Sequence, residues 1–449
     1  MKMIYCRRKR ILKWFLILIF YAFMIFFGYE ISNYVSVSTI MAPLSNFQQQ
    51  GYITLKPKEL LQRIFNGIEY LNSSDLLNCI QNYTKNFQLT PPIYKESLYN
   101  TSIVRGIVVF YDINIHSLLF KQFIWLYQSW LSITRSSKIR HDLIIFMESP
   151  LSDFHLLNCH YQTRRVSSDD QNQCIVYLTN TLTNSILMAN FSLLHSFSPK
   201  FHLELGRLLN ENNRLASLLI FLMKEHQRDL KSYHSLLRID LDSILMPNLG
   251  TWIPSNDKED AVFIGDSIRT NHFTFDRLQR ASNFIHRQEK IFRIRPYFSI
   301  TWLGNLNNLI KLSHLTVMFA MWLVKEEFTE AERYHHLGYL NYPAWYMDAL
   351  LEYASTLALS FLKFKSVKVL QILHLFDCQI PSDVREADEK YLNCLHVQLR
   401  YPSTYLTKQA LLNYSPIPFA DSFPKNRSHI ENYVWKIVAK SQKIYDKKQ

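Results

Sequence analysis

Arg238, Asp240 and Asp242 occupy alternate positions in "LLRIDLDSILMPNLGTWIP", Leu236 to Pro254, with Leu237, Ile239 and Leu241 between them. On a strand, residues two apart share a face; on a helix they point about 200° away from each other. A strand here places the three charges on one side and the three apolar residues against the sheet. Adjacent carboxylates repel, and one pKa rises unless a cation stands close by. Arg238 is one such cation. A divalent ion, Mn2+ or Mg2+, is a sharper one, because it takes oxygen ligands: one or two carboxylates, completed by water and substrate phosphates. In a parallel sheet the crevices for such substrates open at the carboxyl ends of strands, and Asp242, just before "SILMPN", falls there. The pattern also arises by chance, and an Asp before Ser243 suits a turn or a cap.

Further residues carry weaker signals. Asp348 and Glu352 lie at i and i+4 after Pro343, where either suits a general base for an acceptor hydroxyl. Acids in early helical turns equally complement the helix dipole. Tyr297, Trp302, Trp345 and Tyr346 offer faces suited to sugar rings, and equally to core packing. His335-His336 lacks a partner at matching spacing and reads as a turn. There is no G-x-G-x-x-G and no G-x-x-x-x-G-K-[ST], which argues against a dinucleotide fingerprint or a P-loop. No Ser-His-Asp or Cys-His arrangement is readable.

The elements that must position these residues alternate along the chain. "SIVRGIVVFYDI" (Ser102 to Ile113), "HDLIIFMES" (His141 to Ser149), "CIVYL" (Cys174 to Leu178) and "AVFIGDS" (Ala261 to Ser267) are apolar runs of strand length. Helical spacing marks Leu118 to Ile133, Leu203 to Lys231, Phe275 to Gln288, Leu309 to Phe328 and Pro343 to Phe364, with a further helix between Lys56 and Gln88. Strands that are apolar on both faces and separated by helices predict an α/β fold: an open, mostly parallel sheet flanked by helices.

At 449 residues, 48% hydrophobic and 14% aromatic with only 9 Gly, the chain excludes fibrous and low-complexity classes and can bury a sizeable core. The formal charge of +13 is partly local, since Lys2, Arg7, Arg8, Lys9, Arg10 and Lys13 crowd the start; it therefore does not imply a nucleic-acid partner. They abut "ILKWFLILIFYAFMIFFGY", Ile11 to Tyr29, which as a helix spans roughly 28 Å, about one hydrocarbon core. Basic residues before the span predict a cytosolic tail (1–10), a signal anchor (11–29) and a single-pass type II protein whose body lies on the far side of the membrane; the competing reading is a cleaved signal peptide, against which the run is long, bulky and aromatic. A stem and helical lead-in (30–100), a lumenal domain (101–420) and a solvated basic tail (421–449) would follow. Sequons at Asn72, Asn82, Asn100, Asn190 and Asn426, with a weaker one at Asn413, suit a lumenal glycoprotein. Of six cysteines, the simplest pairing joins Cys159 to Cys174 and Cys378 to Cys394 and leaves Cys79 over, though sequence alone does not fix connectivity.

An anchor, a stem, an α/β domain and a D-x-D closing an apolar strand together resemble Golgi glycosyltransferases of the nucleotide-diphosphosugar, GT-A-like class. The segments "LLRIDLDSILMPNLGTWIP", "YFSITWLG", "KEEFTEAERYHHLGYLNYPAWYMDALLEYASTLAL" and "CLHVQLRYPSTY", in that order, resemble a nematode- and rotifer-type family of glycosyltransferase-like type II membrane proteins, over about Ser102 to Phe419. The resemblance implies a metal held by Asp240, Asp242 and His396. It also implies a donor bound at Arg238, Asp240 and Asp242 and a glycan or protein acceptor; Trp302, from its aromatic face, joins the donor candidates, and Asp348, from its helical spacing, is the catalytic candidate. The chain departs from the pattern: S-T-W-Y-G appears as Ser299 to Gly304, W-H-Y-G as Trp345-Tyr346-Met347-Asp348 without its His, and H-x-W-H as His396-Val397-Gln398-Leu399. Two expectations follow: a metal-dependent transferase of sugars to a lumenal acceptor, or an inactive lumenal glycan- or protein-binding relative. Clustered carboxylates alone leave a further reading, a lumenal phosphodiesterase or phosphatase, which would usually have more of them together with His.

Overall fold

A computed structural model describes residues 73–85, 103–113, 116–135, 137, 139–161, 172–179, 205–206, 208–209, 213–255, 258, 260–265, 272–285, 294–295, 299–334, 345–372, 374–378, 393–399 and 428–446. These lie in one unit, Glu69–Gln449. The expected anchor, the stem, His335-His336, Tyr297 and every sequon asparagine except Asn82 fall outside them. Among the described residues no helix is long and apolar enough to cross a membrane.

Apolar runs build the sheet. β1 (Val104–Tyr111), β2 (Arg140–Met147), β3 (His160–Tyr161), β4 (Cys174–Leu178), β5 (Ser235–Arg238), β7 (Val262–Ile264), β8 (Trp302–Gly304) and β9 (Val369–Gln371) make one eight-stranded sheet. Its order is β3-β4-β2-β1-β5-β8-β7-β9. Pairing is parallel except along β8, which runs antiparallel to both β5 and β7. Side chains sort by period two: Val108, Ile144, Ile175, Leu236 and Trp302 enter one core, while Ile107, Val109, Leu143, Ile145, Val176, Leu237 and Leu303 enter the core on the other face.

Helices cover both faces. α1 (Ser73–Lys85), α3 (Ala216–Leu222), α6 (Leu306–Glu326) and α8 (Leu350–Phe364) supply apolar residues to the first core, as does α5 (His272–Ile285). α2 (His116–Thr134) supplies the second. α6 starts where Asn305 accepts a hydrogen bond from the Asn308 amide at 2.9 Å, an N-cap that satisfies one orphan donor. A second sheet pairs β6 (Ser243–Leu245) with β10 (His396–Gln398), antiparallel.

Four expectations change. The expected long helix ending at Lys231 breaks at extended Met223 (φ −84, ψ 123), giving α3 and α4 (Lys224–Leu230); Gln227 Nε2 donates to the freed Phe221 carbonyl at 2.7 Å. The strand carrying the three charges stops at Arg238. The helix after Pro343 starts later, as a 3-10 turn Met347–Ala349 leading into α8. The basic end is α9 (His429–Asp446), with Ile430, Val434, Ile437 and Val438 buried, so amphipathic packing replaces the solvated tail. A short α7 (Glu330–Tyr334) completes the described helices named here.

Both sequence-nearest cysteine pairs form: Cys159–Cys174, with Cα atoms 4.6 Å apart, and Cys378–Cys394, at 6.3 Å. Cys79 is a free thiol, and burial pushes its pKa up, helped by Asp75. The second disulfide closes a 16-residue separation, which in the loop-entropy view is worth about 3 kcal/mol. A Cys378→Ser/Cys394→Ser chain should therefore show a lower urea midpoint, with a slope that rises if it changes, because the unfolded chain expands; an unchanged midpoint would show that the bridge stabilises nothing.

Candidate active site

β1 leaves toward β2 on one side, whereas the chain reaches β5 on β1's other side. Ligand crevices of open α/β sheets lie at the carboxyl ends of strands at such a switch point. Arg238 ends β5 directly opposite Trp302 of β8, and its guanidinium sits 5.7 Å from that ring. It is almost wholly buried. It donates to Ser217 Oγ at 2.6 Å and to the Ile300 carbonyl, and it pairs with Asp240 Oδ1 at 2.9 Å.

The alternation outlasts the strand. Leu237, Ile239 and Leu241 all pack in the second core, and the Ile239 amide still bonds the Val108 carbonyl. Arg238 and Asp240 do meet.

Arg214, from the 3-10 turn Asn213–Leu215, reaches the same carboxylate at 3.4 Å. It also binds Glu352 at 3.1 Å and the Asp348 carbonyl at 2.5 Å. Glu352 is buried near the start of α8, whereas the Asp348 carboxylate is exposed and accepts from the Tyr346 hydroxyl. The arrangement is a half-exposed acid flanked by one buried and one half-exposed guanidinium, with an exposed acid at its rim.

His396 lies elsewhere. It is fully buried on β10 opposite Leu245, whereas Asp242 meets Leu399 through the Leu399 amide. Three positions along an antiparallel ladder are roughly 10 Å of backbone. Its Nδ1 is 3.0 Å from Asp377 Oδ1, and Nε2 is a buried atom without a hydrogen bond. Asp377 in turn accepts from Ser299 Oγ at 2.9 Å and Thr301 Oγ1 at 2.5 Å.

The expected trio of Asp240, Asp242 and His396 therefore does not share one place. Among the described residues no group of three or more His, Cys, Asp and Glu is arranged around a common ion. Asp240 already contacts two guanidiniums, so the donor set as it stands does not fit Mn2+ or Mg2+. Trp302 is fully buried and supports Arg238 instead of offering a face to a sugar. Trp345 is likewise core, stacked by Arg277 at 4.4 Å. Asn82 is exposed on α1.

On the opposite side of the sheet, at the end of β1, Tyr111 hydrogen-bonds His116 Nδ1 at 2.7 Å, and His116 Nε2 lies 2.9 Å from Asp153. Burial pushes the Tyr111 phenol pKa up, with Asp153 and Asp112 adding to it. The sequence reading missed Arg214, Asp377 and this trio. Nothing in "NNRLAS" or "HLFDCQ" marks Arg214 or Asp377, since Arg214 meets Glu352 and Asp377 meets Thr301 over long chain separations.

Residues 99–414 match the family described as "Domain of unknown function (DUF7164)". No curated protein matches the sequence. Among solved structures, the chain is similar to apo mouse xyloside xylosyltransferase 1, with a TM-score of 0.33 and 11% identity over 66% of this chain and 97% of that one. It is also similar to the galactosyltransferase LgtC in complex with donor and acceptor sugar analogues, with a TM-score of 0.32 and 11% identity over 75% of this chain and 95% of that one.

Proposed function

The chain belongs to the DUF7164 family, a domain of unknown function, and from that premise we propose that it transfers a sugar from a nucleotide diphosphosugar to a glycan or protein acceptor. The observation that carries this reading is the Arg214–Asp240–Arg238 cluster at the topological switch point of the sheet. In the reaction the bond from the anomeric carbon to the β-phosphate oxygen breaks and the nucleoside diphosphate leaves with the electron pair. The acceptor oxygen bonds the anomeric carbon and gives up its proton. Guanidinium charge beside the leaving group offsets the charge that develops there. Asp348, exposed at the rim, is the candidate to take the acceptor proton. With the N-terminal anchor expected from the sequence, this chemistry belongs in the lumen of the Golgi or ER, on a single-pass type II glycoprotein.

A second reading, a non-catalytic glycan- or protein-binding relative, draws on Glu352: the acid that would back up Asp348 is buried against Arg214. Donor hydrolysis and acceptor-panel transfer assays on the full chain decide between them. Asp348→Asn should cut kcat by about 100-fold, within the range for a general base, and leave donor affinity unchanged. Unaltered turnover would remove Asp348 from the mechanism, and the absence of both hydrolysis and transfer with every donor would favour the binding relative.

A further inference from the structure

The donor set that fails to fit a metal suggests what replaces one. Asp240 has Arg238 at 2.9 Å and Arg214 at 3.4 Å. A cation bound to this carboxylate at roughly 2.1 Å would share it with two guanidiniums and sit against the positive charge of both. We infer that Arg214, backed by Arg238, takes the place of the divalent cation, so that a nucleoside diphosphate binds beside these arginines without metal. The inference rests on the donor class proposed above and names the group that recognises its diphosphate.

Three features of Arg214 support this. Its side chain is 23% exposed, against 1% for Arg238, so Arg214 can touch a ligand while Arg238 acts from behind. Its hydrogen bonds use only the two terminal nitrogens, which leaves Nε–H without a hydrogen bond among the described residues. A planar fork with a spare edge suits phosphate oxygens better than a point charge does.

Its two acidic contacts are also unequal. The 3.1 Å contact is to Glu352, whose side chain is 2% exposed, and it holds the head group in place. The longer contact, to Asp240, lies at the limit of hydrogen bonding and on the solvent side. An incoming phosphate would displace that longer contact, and Asp240 would keep Arg238.

The metal and arginine accounts predict opposite signs for one substitution. Removing the Asp240 charge abolishes a metal site, whereas it frees Arg214 from a competitor. The test is isothermal titration of the full chain with UDP, GDP, CDP, ADP and inorganic pyrophosphate, each in EDTA and in Mn2+. We expect at least one nucleoside diphosphate to bind in EDTA and Asp240→Asn to hold or raise that affinity. Arg214→Gln should weaken it about tenfold or more, as losing a charge-assisted hydrogen bond does, and Arg214→Lys should recover part of the loss. Binding that needs Mn2+ and disappears in Asp240→Asn overturns the inference while leaving the donor reading intact. No binding under either condition overturns both. If Arg214→Gln fails to fold by thermal unfolding, the sign of the Asp240→Asn effect decides alone.

Discussion

Asp377→Ala is expected to lower the unfolding free energy by about 2–4 kcal/mol, since each buried hydrogen-bonding group left without its partner costs about 1–3 kcal/mol. Asp377 is 5% exposed and collects Ser299, Thr301 and His396. Removing its carboxylate leaves the buried Thr301 hydroxyl without an acceptor and Ser299 Oγ with only the Thr301 carbonyl at 3.2 Å. The backbone is committed to the arrangement as well. Asp377 sits at φ 55, a region few side chains enter apart from Asn and Asp. Gly265 approaches so closely that a Cβ there would lie 1.9 Å from Asp377 Oδ2. Asp377→Asn should cost less, because an amide oxygen still accepts from one hydroxyl. Gly265→Ala should mimic the alanine variant by pushing the carboxylate out. Urea unfolding of the three variants checks the order, and an Asp377→Ala midpoint within error of the parent would show that the cluster contributes nothing.

The strands that sequence made plain are those buried on both faces. β1, β2 and β4 are continuous apolar runs because helices or packed segments cover each side of the sheet, and such runs have no competing period. β5 was over-extended for a reason sequence does not carry. β8 begins opposite Arg238, and the Ile300 carbonyl, which would continue the ladder, is taken by the Arg238 side chain. Alternation alone cannot show where a partner strand stops. It still sorted Leu237, Ile239 and Leu241 into one core and brought Asp240 to Arg238.

The rest of the site was illegible because its contacts are remote. Arg214 and Glu352 are 138 positions apart, and Thr301 and Asp377 are 76 apart. Local spacing cannot propose such pairs. His396 is the instructive case: the likeness that singled it out implied a ligand beside Asp242, whereas β10 aligns it with Leu245 and gives Nδ1 to Asp377. The aromatic residues went the other way. Trp302 and Trp345 had a surface role open to them, and both are fully buried, which is the commoner fate of large rings near a sheet.

Glu332 sets the steepest expected response to acid. With Thr329 it forms a capping box at the start of α7: the Glu332 amide donates to Thr329 Oγ1 at 3.3 Å, and the Thr329 amide returns to Glu332 Oε2 at 2.9 Å. Arg277 adds an ion pair at 2.7 Å, and the Trp345 amide donates at 2.8 Å. Burial by itself would raise the carboxyl pKa; the Arg277 hydrogen bond, the two amides and the Arg277 charge outweigh it and bring the pKa from 4.5 down to about 2. A group whose folded pKa lies below its unfolded value stabilises the fold above the unfolded pKa and loses that contribution as pH falls through the folded one. The stabilisation should be complete above pH 4.5 and drain away toward about 2. At about 1.4 kcal/mol per unit, the shift is worth about 3 kcal/mol at neutral pH. Glu332→Gln should therefore be less stable than the parent by about that much at pH 7, and the gap should close between pH 4.5 and about 2. A gap that stays constant across that range would mean the loss comes from geometry at the cap and not from the charge held between Arg277 and the amides.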